Sequence, residues 1–164
     1  MMNQLMVYIY WGSTIVALDC SFAILVILSL SKKDKTISAF ILMMISMTLW
    51  SFSTLMMKLD VTPGTLFWQR TMVAALMMIP YTGYIFFTVF INMKRKVSLL
   101  FWGALEVAMQ IVNILGFTTI SAVMKTVDYA PFIELDYSLG IGAYVSYVLI
   151  FALLVTCGCL GLRE

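Results

Sequence analysis

The sequence predicts an all-α membrane protein, a single transmembrane domain over residues 1–164 built as a bundle of about five transmembrane helices. Three observations predict it. Of the 164 residues, 63% are apolar and only 11% charged, against roughly 25% charged in a soluble domain. Five apolar stretches are each long enough to cross a bilayer, which takes about 20 residues of helix. The basic residues also gather in alternate connections, as they do when short turns stay behind in the cytoplasm.

The first span covers 7–31. Met1 to Met6 hold no basic residue, and Val7 to Ser31 is too long for the apolar core of a cleavable signal, so this stretch is expected to stay in the membrane. The second and third spans cover 38–57 and 66–91, the fourth 98–123 and the fifth 138–161. Bare backbone cannot be left unpaired in lipid, and continuous apolar runs of this length do not alternate as barrel strands do, so all five are expected to be helices. No internal repeat or low-complexity tract interrupts them.

Lys32, Lys33 and Lys35 separate the first two spans, Lys94, Arg95 and Lys96 the third and fourth, and Arg163 follows the fifth. The opposite connections hold Lys58 with Asp60, and Lys125 against Asp128, Glu134 and Asp136. The positive-inside rule then places the N-terminus outside and the C-terminus in the cytoplasm. The expected location is a bacterial inner membrane, crossed several times.

Ten basic and eight acidic residues leave a net charge of +2, too little to draw a polyanion, so nucleic acid is not an expected partner. Histidine is absent. That excludes imidazole-based nucleophile pairs and a phospho-accepting histidine, and no catalytic residue, metal site or cofactor is expected. Cys20, Cys157 and Cys159 all fall in apolar stretches and indicate no redox compartment.

Charge and polarity at membrane depth are costly and need a partner, water or a facing helix. Asp19 and Glu106 both fall towards the middle of their spans and could be neighbours. Glu106, Gln110 and Asn113 recur at i, i+4 and i+7, a stripe on one helical face that Phe117 continues. The stripe is read either as a buried pocket or ion path, or as hydrogen bonds between helices. Asp19 is read either as a proton sensor or as a neutral hydrogen-bond donor.

Ser46, Trp50 and Ser53 repeat that spacing in the second span, and Ser138, Gly142 and Ser146 form a small-residue ladder in the fifth, a face that can also serve a homodimer. Pro80, with Gly83 after it, predicts a kink or hinge in the third span. The outer stretch from Met124 to Tyr137 sets Asp128, Glu134 and Asp136 among tyrosines, either as a cation or ligand site or as a solvated acidic loop. Arg70 lies near the outer boundary, placed to snorkel or to meet an anion.

Trp50, an outer loop, then Phe67, Trp68 and Arg70, then Pro80 and Phe86, closed by Lys94, Arg95 and Lys96, form an ordered set. It resembles the seven-helix membrane input region at the N-terminus of bacterial histidine kinases and diguanylate cyclases. There a tryptophan ends the second span, a Phe-Trp-x-Arg element opens the third, and a proline follows about ten residues on. The likeness is good over roughly 7–96 and looser beyond.

It implies a sensory input module that relays an extracellular or membrane signal to a cytoplasmic output domain or partner protein. Seven spans are expected from that family where five are counted, and the output domain is expected after Glu164 or on a separate chain. The residues singled out are Asp19, Glu106, Gln110 and Asn113 for the buried site, with Trp50, Trp68 and Arg70 at the outer mouth. Trp50, Lys58 and Arg70 also resemble a drug/metabolite-transporter-like permease. Ser51 stands where that family has glycine, and an extra span precedes the motif.

Overall fold

The structure, a computed structural model, describes residues 2–93, 96–126 and 133–161. Helices α1 (Met2–Leu30), α2 (Lys35–Lys58), α3 (Thr65–Phe90) and α4 (Lys96–Ile114) are followed by the strands β1 (Thr119–Thr126) and β2 (Ile133–Leu139), and then by α5 (Ile141–Gly161). All five helices are long and apolar enough to cross a membrane.

Local chemistry sets their ends. Asp34 caps α2, its carboxylate accepting from the Ile37 amide at 2.7 Å. At the other end of α2 the chain turns through residues 59–64, where Asp60 accepts from the Thr65 hydroxyl at 2.7 Å as α3 begins. Helix α4 closes on Gly116, whose φ of +87° suits glycine. The Gly116 amide bonds the Asn113 carbonyl at 3.0 Å and the Phe117 amide bonds the Val112 carbonyl at 3.1 Å. This paired closure leaves no path for the helix to continue.

The fourth span expected over 98–123 is thereby corrected. The helix stops at Ile114, and the chain goes on into an antiparallel hairpin in which Ala122 faces Tyr137, Val123 faces Asp136 and Lys125 faces Glu134. Thr118, Thr119, Ile120 and Val123 are β-branched and fit a pleated strand better than another helical turn. The fifth span is shortened too, because Ser138 belongs to β2 and α5 starts at Ile141. To the five helices the structure thus adds a two-stranded element that the all-α expectation lacked.

Helix α3 is the hub, packing against α2, α4, α5 and β1, while α1 leans on α2. Its buried face is mostly small or polar: Thr65, Gln69, Ala75, Met77, Thr82, Tyr84 and Thr88. From α2 come Ser46 and Ser53, again buried, while large apolar side chains such as Phe22, Phe101 and Phe151 point outward. Lipid is as apolar as leucine, so close approach of small side chains is what holds such helices together.

Several buried hydroxyls bond within their own helices, Ser53 on the Leu49 carbonyl at 2.7 Å and Thr82 on that of Met78 at 2.9 Å. At the end of the bundle remote from the hairpin, Tyr84 and Leu153 form a cluster with Phe87, Leu99 and Trp102, and the Tyr84 hydroxyl meets Ser98 at 2.7 Å.

Candidate functional site

The polar stripe on α4 turns inward against α3. Gln110 Nε2 donates to the Ala74 carbonyl at 3.0 Å and to Glu106 Oε1 at 2.7 Å, and farther along the helix Asn113 Nδ2 donates to the Arg70 carbonyl at 2.9 Å. Two amides thus bridge α4 to α3, and the Glu106 carboxyl group lies beside one of them. Phe117 lies past the helix end and is exposed, so it does not extend the line.

Above the stripe these contacts run into the hairpin. Arg70 Nε and Nη2 donate to the Thr119 carbonyl at 3.3 and 3.1 Å, and the buried Thr118 hydroxyl donates to Asn113 Oδ1. Asn113 therefore bridges two elements, giving its amide to α3 and receiving the hydroxyl beneath the hairpin. A Cβ on Gly116 would fall 2.6 Å from Arg70 Nη2, so glycine there also makes room for the guanidinium. The hairpin base is stitched to α5 as well, the Gly140 amide bonding the Thr118 carbonyl and the Gly142 amide that of Phe117, each at 3.0 Å.

Glu106 lines a cleft with Met77 and Pro80 of α3, Trp102 and Met109 of α4, and Ser146 of α5. Its room, about 20 Å³, is on the order of one water molecule. Asp19 is elsewhere: it is exposed and lines an open groove of about 440 Å³ between α1 and α2, beside Phe22, Thr48 and Phe52. Depth along the helices leaves it open whether the two carboxyl groups are neighbours; they belong to separate cavities that share no residue.

The residues expected at the outer mouth divide. Trp68 donates its indole N–H to the Val61 carbonyl at 2.8 Å and meets Phe52 edge-on, whereas Trp50 is 37% exposed. Lys58 reaches back to the Thr14 hydroxyl on α1. Pro80 is held within α3, which continues helical from Thr65 to Phe90, and Gly83 faces Met43 on α2. Gly142 and Ser146 are buried inside the chain, and Ser138 pairs with Ser121 across the hairpin at 2.7 Å. The small-residue face suggested for a homodimer is therefore turned inward.

In the outer acidic stretch Asp136 forms an ion pair with Lys125, both more than half exposed, and Glu134 stands opposite Lys125 in the strand register. Asp128 lies outside the described residues.

Three residues matter here that sequence reasoning passed over. Thr118 and Thr119 are fully buried, and Gln69 is buried beside Arg70. Among the described residues Gln69 Oε1 and Thr119 Oγ1 find no hydrogen-bond partner. A glutamine adjoining an arginine inside an apolar span was the available signal for Gln69. The threonines read as ordinary span residues until Gly116 is recognised as a helix stop.

A family model described as the N-terminal 7TM region of histidine kinase matches residues 14–164, carrying the likeness well past Lys96 to include the hairpin and α5. The cyclase half of the expected resemblance has no counterpart in that match. No curated protein and no solved structure matches the chain.

Proposed function

Since the chain belongs to the family of N-terminal seven-transmembrane regions of histidine kinases, a multi-pass membrane sensor class, we propose that it reads a signal at the hairpin end and relays it to a cytoplasmic output domain or partner protein. The input region of such kinases is not itself catalytic. In this reading the N-terminus is outside and the lysine-bearing turns are in the cytoplasm of a bacterium, which the charge asymmetry supports. The hairpin then faces the medium, and the Tyr84–Leu153 cluster lies near the inner surface.

The observation that carries the proposal is the Asn113 bridge, which ties the Arg70 carbonyl on α3 to the Thr118 hydroxyl under the hairpin. A ligand that shifts the hairpin must alter this bridge or the Arg70 clamp. Either change reaches α4 and α5 directly, because both helices pack on α3. The binding residues are assigned to Arg70, Trp68 and Trp50 at the outer end, Asp136 and its neighbours on the hairpin, and Glu106, Gln110 and Asn113 within. Pro80 and Gly83 are the assigned hinge. Two arrangements of α5, one favoured by ligand, suffice as the output.

The test is capture of the output partner. A photo-crosslinking residue replacing Cys159, near the end of α5, is irradiated in membranes of the native host. The expected adduct carries a histidine-kinase catalytic region, either within the same polypeptide or on another. Capture of lipid alone, with no such region on the chain, overturns the relay.

A further inference from the structure

We propose that the groove between α1 and α2 binds an amphipathic organic cation drawn from the membrane, an ammonium or phosphonium on an apolar body, with Asp19 as its counter-charge. The site stands apart from the hairpin end and does not rest on the relay read there.

A carboxyl group at membrane depth almost always faces the bundle interior, a water-filled space or a partner charge. Asp19 instead lies exposed in a groove walled by α1 and α2 alone. Among the described residues no bond reaches its carboxyl group, and no lysine or arginine lines the groove. Lys58, at the end of α2, donates to the Thr14 hydroxyl. Asp19 follows Thr14 by more than a helical turn, roughly 7.5 Å deeper along α1, too far for so short a side chain to reach that end. The missing charge must come from outside the chain.

Beside the carboxyl group the groove offers rings and aliphatic walls. Phe22 follows Asp19 by one turn on the same face of α1, and Phe52 stands across from it on α2, both exposed. Trp68 meets Phe52 edge-on, with ring centroids 5.8 Å apart, and so fixes its place. Aromatic faces next to a carboxyl group attract an organic cation, and most strongly where water is scarce. The Thr48 hydroxyl donates to the Met44 carbonyl at 2.8 Å, and its oxygen can still accept from an ammonium. Farther from Asp19, Leu25 and Ile45 continue the groove as plain hydrocarbon. Charge at one end and apolar surface at the other complement an amphiphile.

The dimensions suit a compact ligand. The walls run from Leu18 to Leu25 and from Ile45 to Phe52, about 10 Å on each helix. A spanning helix of about 20 residues packs along a longer seam. The room of about 440 Å³ lies within the roughly 300–1,000 Å³ of small-molecule sites, which are mostly apolar with a few placed polar groups.

The experiment measures binding of radiolabelled tetraphenylphosphonium to the whole chain in lipid nanodiscs, with uptake by empty nanodiscs subtracted. Saturable binding at one site per chain is expected, and tetraphenylborate, of the same shape and opposite charge, is expected to show none. Asp19→Asn, which keeps the size and deletes the charge, is expected to weaken binding by an order of magnitude, and Phe22→Ala several-fold. Absence of saturable binding, equal binding in Asp19→Asn, or equal binding of tetraphenylborate overturns the proposal. So does capture of a second copy or of another membrane protein when a photo-crosslinking residue replaces Leu25 in native membranes, since a helix then fills the groove.

Discussion

Arg70 on α3 and Thr119 at the start of β1 are joined by two donations from one guanidinium to one carbonyl oxygen, at 3.3 and 3.1 Å, across 49 residues of sequence. A charged fork on a single acceptor fixes direction as well as distance. The hairpin base is thereby held against the hub helix and cannot move without straining α3. An arginine near the membrane surface would otherwise turn to water, so its inward engagement is the feature that distinguishes this end of the bundle.

Removing the fork loosens the hairpin before it harms the bundle. Hydrogen bonds to charged groups contribute about 1.5–3 kcal/mol. Arg70→Ala is therefore expected to lower stability by an amount in that range and to speed amide exchange over Thr119–Thr126. Arg70→Lys keeps the charge but not the fork and falls between the two. Exchange followed by mass spectrometry in nanodiscs checks it, and unchanged hairpin protection in Arg70→Ala contradicts the clamp.

Gly116→Ala is expected to cost more than its size suggests. Its φ of +87° is a left-handed conformation, which costs a residue with a Cβ roughly 1–2 kcal/mol. The added carbon would also fall 2.6 Å from Arg70 Nη2, so the guanidinium must give way. Gly12→Ala, where nothing lies within 4 Å of the added carbon, is the control. Thermal unfolding in detergent should show a clear drop for the first and little change for the second.

Gln110→Leu and Asn113→Leu separate the two readings of the α4 stripe. Hydrogen bonds between helices in bilayers average about 0.6 kcal/mol and reach about 1.7. Gln110→Leu removes a bond to the Ala74 carbonyl and the donor to Glu106, whereas Asn113→Leu cuts α3 from Thr118. Asn113→Leu is expected to be the more damaging to hairpin protection, and Gln110→Leu to leave the hairpin alone. Equal hairpin exchange in the two variants would show that Asn113 is no bridge.

Much of this architecture is legible in the amino-acid order alone. Five apolar runs set off by Lys32, Lys33, Lys35 and Asp60 lead to five helices, because length and hydropathy are what a bilayer selects. The i, i+4, i+7 spacing of Glu106, Gln110 and Asn113 likewise leads to an inward face. The hairpin escapes such a reading because residues 117–123 are as apolar as a span, and hydropathy does not distinguish a strand from a helix. Gly116 followed by β-branched residues carries that information locally. The separation of Asp19 from Glu106 is not legible at all, since depth along two helices says nothing about which helices touch.

Asp19 supplies a prediction of opposite sign. It is exposed in the α1–α2 groove, and a carboxylate at mid-span costs about 2.5–3.5 kcal/mol on insertion scales. Asp19→Leu is thus expected to improve insertion of α1 without loosening the bundle, as no bond of the Asp19 side chain is found among the described residues. Insertion efficiency of α1 in a translocon assay measures the first half, and thermal unfolding the second. A loss of stability in Asp19→Leu would mean that the carboxyl group is held by something that packs on α1.

The last prediction concerns which way the bundle faces, on which the proposed signalling direction depends. Lys32 and Lys33 lie in the connection between α1 and α2, and Val61 lies in the turn between α2 and α3, at the opposite end of α2. The positive-inside rule puts the lysines in the cytoplasm because translocating them is disfavoured. In a background with Cys20, Cys157 and Cys159 replaced, Val61→Cys and Ser121→Cys should react with a membrane-impermeant maleimide in intact cells. Lys33→Cys should react only after permeabilisation. Labelling of Lys33→Cys in intact cells, with Val61→Cys protected, would turn the hairpin towards the cytoplasm, and the Arg70 clamp would then face the output side instead of the signal.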